Sequence, residues 1–213
     1  MSVVVKQCAV SAVAIVLLLF AGCSPSTQPS VSDQSAAAPK PAAPPEPVTA
    51  KTAFWPMYTS ARNWAADVVA LRLMPSEVPG FKNEAGKAAM WQATFASPSQ
   101  HEFRVYSYAI VTVQPDIHKG VVASLGQPWR GVTRDVMPID LSSFNADSDA
   151  AYQAAASAAE AWLKKNPDKQ ISTFQLGSAY KFDVPVWFLM WGDKKAGYAA
   201  YVDANSGKLL KGK

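Results

Sequence analysis

Hydrophobic and polar positions change period several times along this chain, and the changes mark its elements. Met90-Trp-Gln-Ala-Thr-Phe-Ala-Ser97 sets Trp91, Ala93 and Phe95 against Gln92 and Thr94, the two-residue period of a half-buried strand. Pro98-Ser-Gln-His101 turns the chain, and Glu102 to Val113 predicts a second strand rich in Val, Tyr and Ile. Upstream, Trp64, Ala65, Val68 and Leu71 fall at helical spacing behind Thr59 or Ser60 as cap, with Pro75, Pro79 and Gly80 interrupting afterwards. Downstream, Tyr152, Ala155, Ala156, Ala159, Trp162 and Leu163 predict a helix capped by Asp147 or Ser148 and ended by Asn166-Pro167. Its many alanines suit close contact with a sheet. Ile171 to Tyr180, Val184 to Trp191 and Tyr198 to Val202 then read as strands.

The two halves parallel one another. Trp91-Gln-Ala-Thr-Phe95, a polar turn and Arg104-Val-Tyr-Ser-Tyr108 match Trp187-Phe-Leu-Met-Trp191, a polar turn and Tyr198-Ala-Ala-Tyr201. Each hairpin follows a helix and a short intervening strand, Leu71-Arg-Leu73 in one and Phe174-Gln-Leu176 in the other. This predicts a duplicated αββ unit. The expected fold class is α+β: two αββ units, each with a helix packed on an antiparallel sheet. The divisions are a first unit at 53–120, a connector at 121–146 that packs through Trp129 and Val132, and a second unit at 147–213.

The closing segment adds turn chemistry. In Asp203-Ala-Asn-Ser-Gly207 the Asp side chain can accept from backbone N–H groups further on, while Asn and Gly tolerate positive φ, so Lys208-Leu-Leu210 should run back alongside. This helix-strand-strand unit with its Val-Asp-x-x-Ser-Gly-Lys-Leu tail resembles the PepSY domain, a small extracytoplasmic αββ module. The first half, with Val113-Gln-Pro-Asp-Ile-His-Lys-Gly120 in place of that tail, matches only in outline. The resemblance implies a module that binds and restrains a protease or serves as an accessory protein.

Composition changes the picture at the amino-terminal end. Lys6 precedes an apolar or small-residue run from Cys8 to Gly22, a secretory signal short of the ~20 residues that span hydrocarbon. Leu19-Phe-Ala-Gly-Cys23 resembles the lipobox of bacterial lipoproteins, with Phe20 where Leu is commoner. That resemblance implies a signal peptide at 1–22, cleavage before Cys23, and Cys23 acylated as the new first residue. More than one acyl chain exceeds what stable anchoring requires. Ser24, not Asp, then favours the outer membrane facing the periplasm. The stretch 23–52, rich in Pro, Ala and Ser, is expected to be a disordered tether reaching roughly 30 Å coiled and ~80 Å extended.

The only cysteines are Cys8 and Cys23, so the folded part has no disulfide, cysteine metal site or thiol nucleophile. The net charge of +4 comes from scattered lysines without arginine clusters, which argues against nucleic acid as a partner. Two histidines, His101 beside Glu102 and His118 in Asp116-Ile-His-Lys, fall in predicted loops, fewer than the three or four ligands zinc takes. No phosphate loop, dinucleotide fingerprint or nucleophile elbow occurs. No catalytic residue, metal or cofactor is expected. The partners expected are the membrane, through Cys23, and an envelope protein or peptide. The alternative functions are an enzyme acting on envelope polymers, centred on Asp116, His118 and His101, or a structural subunit of an outer-membrane assembly.

One surface remains as a candidate. Val186-Trp-Phe-Leu-Met-Trp191 is apolar on both faces, which fits a strand buried on both sides in a sheet that must cover itself. The competing reading exposes Trp187, Leu189 and Trp191, with Tyr201, as a face that grips a peptide or glycan.

Overall fold

A single antiparallel sheet runs through both halves of the chain in the computed structural model, which describes residues 45–212. The signal segment, Cys23 and most of the tether lie outside the described residues. The elements are α1 (Ala50–Trp64), β1 (Val69–Ser76), β2 (Met90–Ser97), β3 (Glu102–Ala109), β4 (Gly120–Ala123), β5 (Gln127–Pro128), α2 (Ser148–Lys165), β6 (Ile171–Gly177), β7 (Val186–Trp191), β8 (Tyr198–Asp203) and β9 (Leu209–Gly212). Strand order is β4-β3-β2-β1-β6-β7-β8-β9, with the short β5 also on β3. Each half places its first strand at the centre and its later strands outward.

The fold is α+β, two helices on one antiparallel sheet. The strand count per half differs from the αββ expectation. The short strands expected around Leu73 and Leu176 are the pair that joins the halves, in register at Leu73 with Leu176 and Arg72 with Gly177. β4, straddling the expected boundary at 120, and β5 bring part of the connector into the sheet. Trp129 is half-buried as expected, but Val132 is 56% exposed.

α1 begins well before Thr59 and ends before Val68. Ala50, Ala53, Phe54, Met57 and Ala61 are buried at spacings of three and four, and this apolar stripe defines the helix. Pro56 lies on the exposed side of α1, and Val68 and Leu71 belong to the approach to β1 and to β1 itself. The end of the stretch 23–52 thus belongs to the fold: Val48 pairs with Ala88 and Thr49 caps α1. The Thr49 side chain meets the Thr52 hydroxyl at 3.1 Å and caps no N–H of the helix. The first turn of α1 is capped instead by the first residues of α2: Ala50 N–H donates to Ser148 Oγ at 2.9 Å and Lys51 N–H to Asp147 Oδ1 at 3.0 Å. Asp147 also accepts from Ser148 N–H, so one carboxylate serves two helix starts.

That junction is tight. Gly86 sits at φ +79°, where a side chain is strained, and a Cβ there would collide with the Ser148 carbonyl. The indoles of β2 and β7 reach it from the sheet: Trp91 Nε1–H donates to Val48 O at 2.9 Å and Trp187 Nε1–H to Ala146 O at 3.0 Å. Each acceptor lies two residues before the first residue of its helix. The two rings meet edge to face, centroids 6.5 Å apart. Phe54, Phe95, Phe144, Leu176 and Val202 complete the layer between helices and sheet. α2 approaches through Ala151, Ala155 and Ala159, all fully buried, which lets backbone lie close to strand.

Candidate functional site

Alternation along β7 decides the fate of the expected aromatic face. Trp187, Leu189 and Trp191 point to the helices and pair with Val202, Ala200 and Tyr198 of β8. Trp187 and Leu189 are fully buried and Trp191 nearly so. They are core, because α2 and Phe144 cover them, and they do not form an exposed gripping surface. Tyr201 does not join them. Its register partner is Phe188, so it stands on the opposite side of the sheet.

The acids and histidines are dispersed in the same way. His101, at φ +53°, ends the β2–β3 turn, whereas Asp116 and His118 lie in the β3–β4 loop, and all three are exposed. The eight residues of β3 separate the two loops by roughly 26 Å at strand rise, so the histidines do not converge. Among the described residues no three His, Cys, Asp or Glu side chains come together as a ligand set. The perturbed carboxylates are turn formers. Asp67 is held below the usual range by the Ser97 hydroxyl and the Ser99 N–H, and Asp140 by the hydroxyls of Ser142 and Ser143. The N–H groups of Ala196 and Lys195 do the same for Asp193. Partial burial opposes ionisation of Asp203, but the Ser206 hydroxyl at 2.6 Å and the Asn205 N–H at 2.7 Å outweigh it. Asp203 thus closes the β8–β9 turn, with Gly207 at φ +70°, as the tail motif predicts.

The sheet's second face, away from the helices, is where side chains gather without being sealed. β1 puts Arg72 there, with Thr94 of β2 and Gly177 of β6 as its cross-strand partners. Two cavities adjoin it. One, of about 250 Å³, is lined by Arg72, Gln175, Lys181, Phe182, Phe188 and Tyr201, with Asp135 also on its wall. The other, of about 320 Å³, is lined by Arg72, Thr94, Phe103, Trp129 and Thr133. Leu71, Arg72 and Val136 belong to both, which makes them one groove with Arg72 at its waist.

The connector and the β6–β7 loop form the groove's rim, tied to each other and, through the connector, to β1. Met137 N–H donates to Ser178 O at 3.0 Å, Ile139 N–H to Ala70 O at 2.7 Å and Tyr180 N–H to Arg134 O at 3.0 Å. In the first lobe Tyr201 packs on Phe188 and Phe182, centroids 4.9 and 5.2 Å away, and Lys181 Nζ lies 4.8 Å from the Tyr201 centroid. Arg134 covers Tyr180 nearby at 5.2 Å. A guanidinium between two partly apolar lobes can hold an anion while its neighbours take apolar groups.

Of the candidate surface read from the sequence, only Tyr201 is in this groove. Arg72, Gln175, Phe188, Lys181, Phe103 and Trp129 escaped that reading as a group. The signal available was a polar residue at the centre of each joining strand, Arg72 in Leu71-Arg-Leu73 and Gln175 in Phe174-Gln-Leu176. No protein-family model and no curated protein matches the chain. Among solved structures it is similar to the crystal structure of a "putative lipoprotein" from Clostridium difficile 630, at 14% identity and a TM-score of 0.46, covering 73% of this chain and 91% of that one.

Proposed function

We propose that this protein is a non-catalytic binding module of the bacterial cell envelope, anchored through acylated Cys23 and presenting the groove face of its sheet to an envelope protein or peptide. The observation that carries the binding reading is the contrast between the sheet's two faces. One is sealed by α1, α2 and a dense aromatic layer; the other leaves Arg72 exposed between two cavities. Buried on one side and open on the other, the sheet is a rigid platform for recognition. The lipobox-like Leu19-Phe-Ala-Gly-Cys23 supports the anchor, and Ser24 supports the outer membrane. The likeness of the β7–β9 tail to PepSY domains favours restraint of a protease, or an accessory role beside one.

Two measurements on the full chain in cells test this. A photoreactive residue at Thr133, on the groove wall, should give a discrete crosslinked adduct, while one at Glu160, on the outer side of α2, should give none. Equal labelling from both positions would refute the groove as the binding face. Cys23→Ala should abolish partition into the detergent phase and acyl labelling; full retention of both would remove the anchor from the reading.

A further inference from the structure

We infer that the groove takes an extended acidic peptide segment, laid across the strands with its carboxylate on Arg72 and an apolar side chain in each lobe. The inference rests on the binding-module reading and narrows it to a ligand chemistry. Arg72 lies on one of the two central strands, at the waist between the cavities. Among the described residues no carboxylate comes within salt-bridge distance of it, the two ion pairs being Arg104–Glu102 and Lys164–Glu160. The wall carries Arg72 and Lys181 against Asp135 alone, so it favours an anion. A planar guanidinium matches a carboxylate in bidentate fashion.

Space for that carboxylate comes from Gly177. This strand residue is not in the left-handed region, and a Cβ added to it would meet only Leu71 O, at 3.8 Å. The backbone therefore gives no reason for glycine. A strand glycine of this kind marks close approach by another chain or a ligand. Here its missing side chain opens a notch beside Arg72, which it faces across the β1–β6 ladder.

The lobe around Tyr201 favours peptide over glycan. Sugar rings stack on free aromatic faces, but the Tyr201 ring is flanked by Phe188 and Phe182 and overlain by Lys181. Its half-buried apolar walls suit an aliphatic or aromatic side chain. The strand order sets the spacing. Tyr201 on β8 is three strand intervals and two residues of register from Arg72, about 16 Å in all, and Phe103 on β3 is two intervals and two residues away on the opposite side, about 12 Å. At roughly 3.4 Å per extended residue these spans correspond to about five residues and three residues. The segment recognised is apolar, four spacers, acidic, two spacers, apolar.

The test uses the purified full chain in detergent and a fluorescein-labelled nonapeptide with leucine first, aspartate sixth, phenylalanine ninth and serine elsewhere, followed by polarisation. Saturable binding is expected, weakened at least tenfold by Arg72→Gln, by Gly177→Val, and by asparagine in place of the peptide's aspartate. Unchanged thermal midpoints in both variants establish that the loss is local. If either variant melts early, Gly177→Ala and Arg72→Lys, which disturb less, should each weaken binding several-fold. Binding indifferent to Arg72 or to the aspartate overturns the inference, as does no saturable binding. So does Arg72-dependent binding of a labelled uronic-acid oligosaccharide in place of the peptide. Failure here alongside a Thr133-specific crosslink leaves the groove a binding face for another chemistry. Failure of both removes the binding reading as well.

Discussion

Removing one hydroxyl from the helix junction should weaken the whole domain. Ser148 is fully buried, and its Oγ accepts from Ala50 N–H at 2.9 Å while lying 3.3 Å from Asp147 Oδ1. In Ser148→Ala the first N–H of α1 keeps its burial and loses its acceptor. A buried donor left unpaired costs about 1–3 kcal/mol. Alanine's better helix propensity returns roughly 0.5 kcal/mol, for a net loss of about 0.5–2.5 kcal/mol. At about 2–4 °C per kcal/mol for a domain of this size, the thermal midpoint should fall by about 1–10 °C. Circular dichroism melts of Ser148→Ala beside Ser157→Ala, an exposed serine of the same helix, provide the assay. Ser157→Ala should stay within about 0.5 kcal/mol of the parent. Equal midpoints for the two variants would refute the claim that α2 caps α1.

Two further outcomes are expected. Asp67, Asp140, Asp193 and Asp203 release protons more readily folded than unfolded, so the stability they lend is full above their unfolded value near 3.8 and is lost as pH falls through their lowered values. Thermal midpoints measured from about pH 7 to about pH 2.5 should hold down to about pH 4 and then drop, less steeply in Asp203→Asn; a level profile to the acid limit would contradict this. Trp187→Phe leaves Ala146 O without its 3.0 Å donor and should cost about 1–3 kcal/mol in urea unfolding, whereas Trp91→Phe should cost less, because Val48 O keeps the Ala88 N–H at 3.0 Å. Because the two rings touch, the double variant should depart from additivity; strict additivity would mean that the indoles act independently.

α2 was legible almost to the residue, from Asp147 as cap to Asn166-Pro167 as stop, because its signals are local. α1 was not. Its apolar stripe is made of alanines, Phe54 and Met57 around an exposed Pro56, and its capping groups lie nearly a hundred residues away. Propensity and capping rules read neighbours in sequence, so they pointed to Thr59 and Ser60. The groove was illegible for a related reason. Arg72, Gln175, Trp129 and Lys181 come from four separate segments, and no local period joins them.

Read alone, the chain establishes an α+β class, parallel halves, the β8–β9 turn, the absence of thiols beyond Cys23 and the lipobox-like pattern Leu19-Phe-Ala-Gly-Cys23. All of these are written in composition or in periods of two to four residues. Which side of β7 would be covered, and that Tyr201 would part from Trp187, Leu189 and Trp191, followed from pairing register and from where α2 came to rest. So did the union of the halves through β1 and β6, which sets Arg72 against Gly177. Those outcomes depend on long-range contacts: a strand apolar on both faces carries no preference until other elements bury one of them.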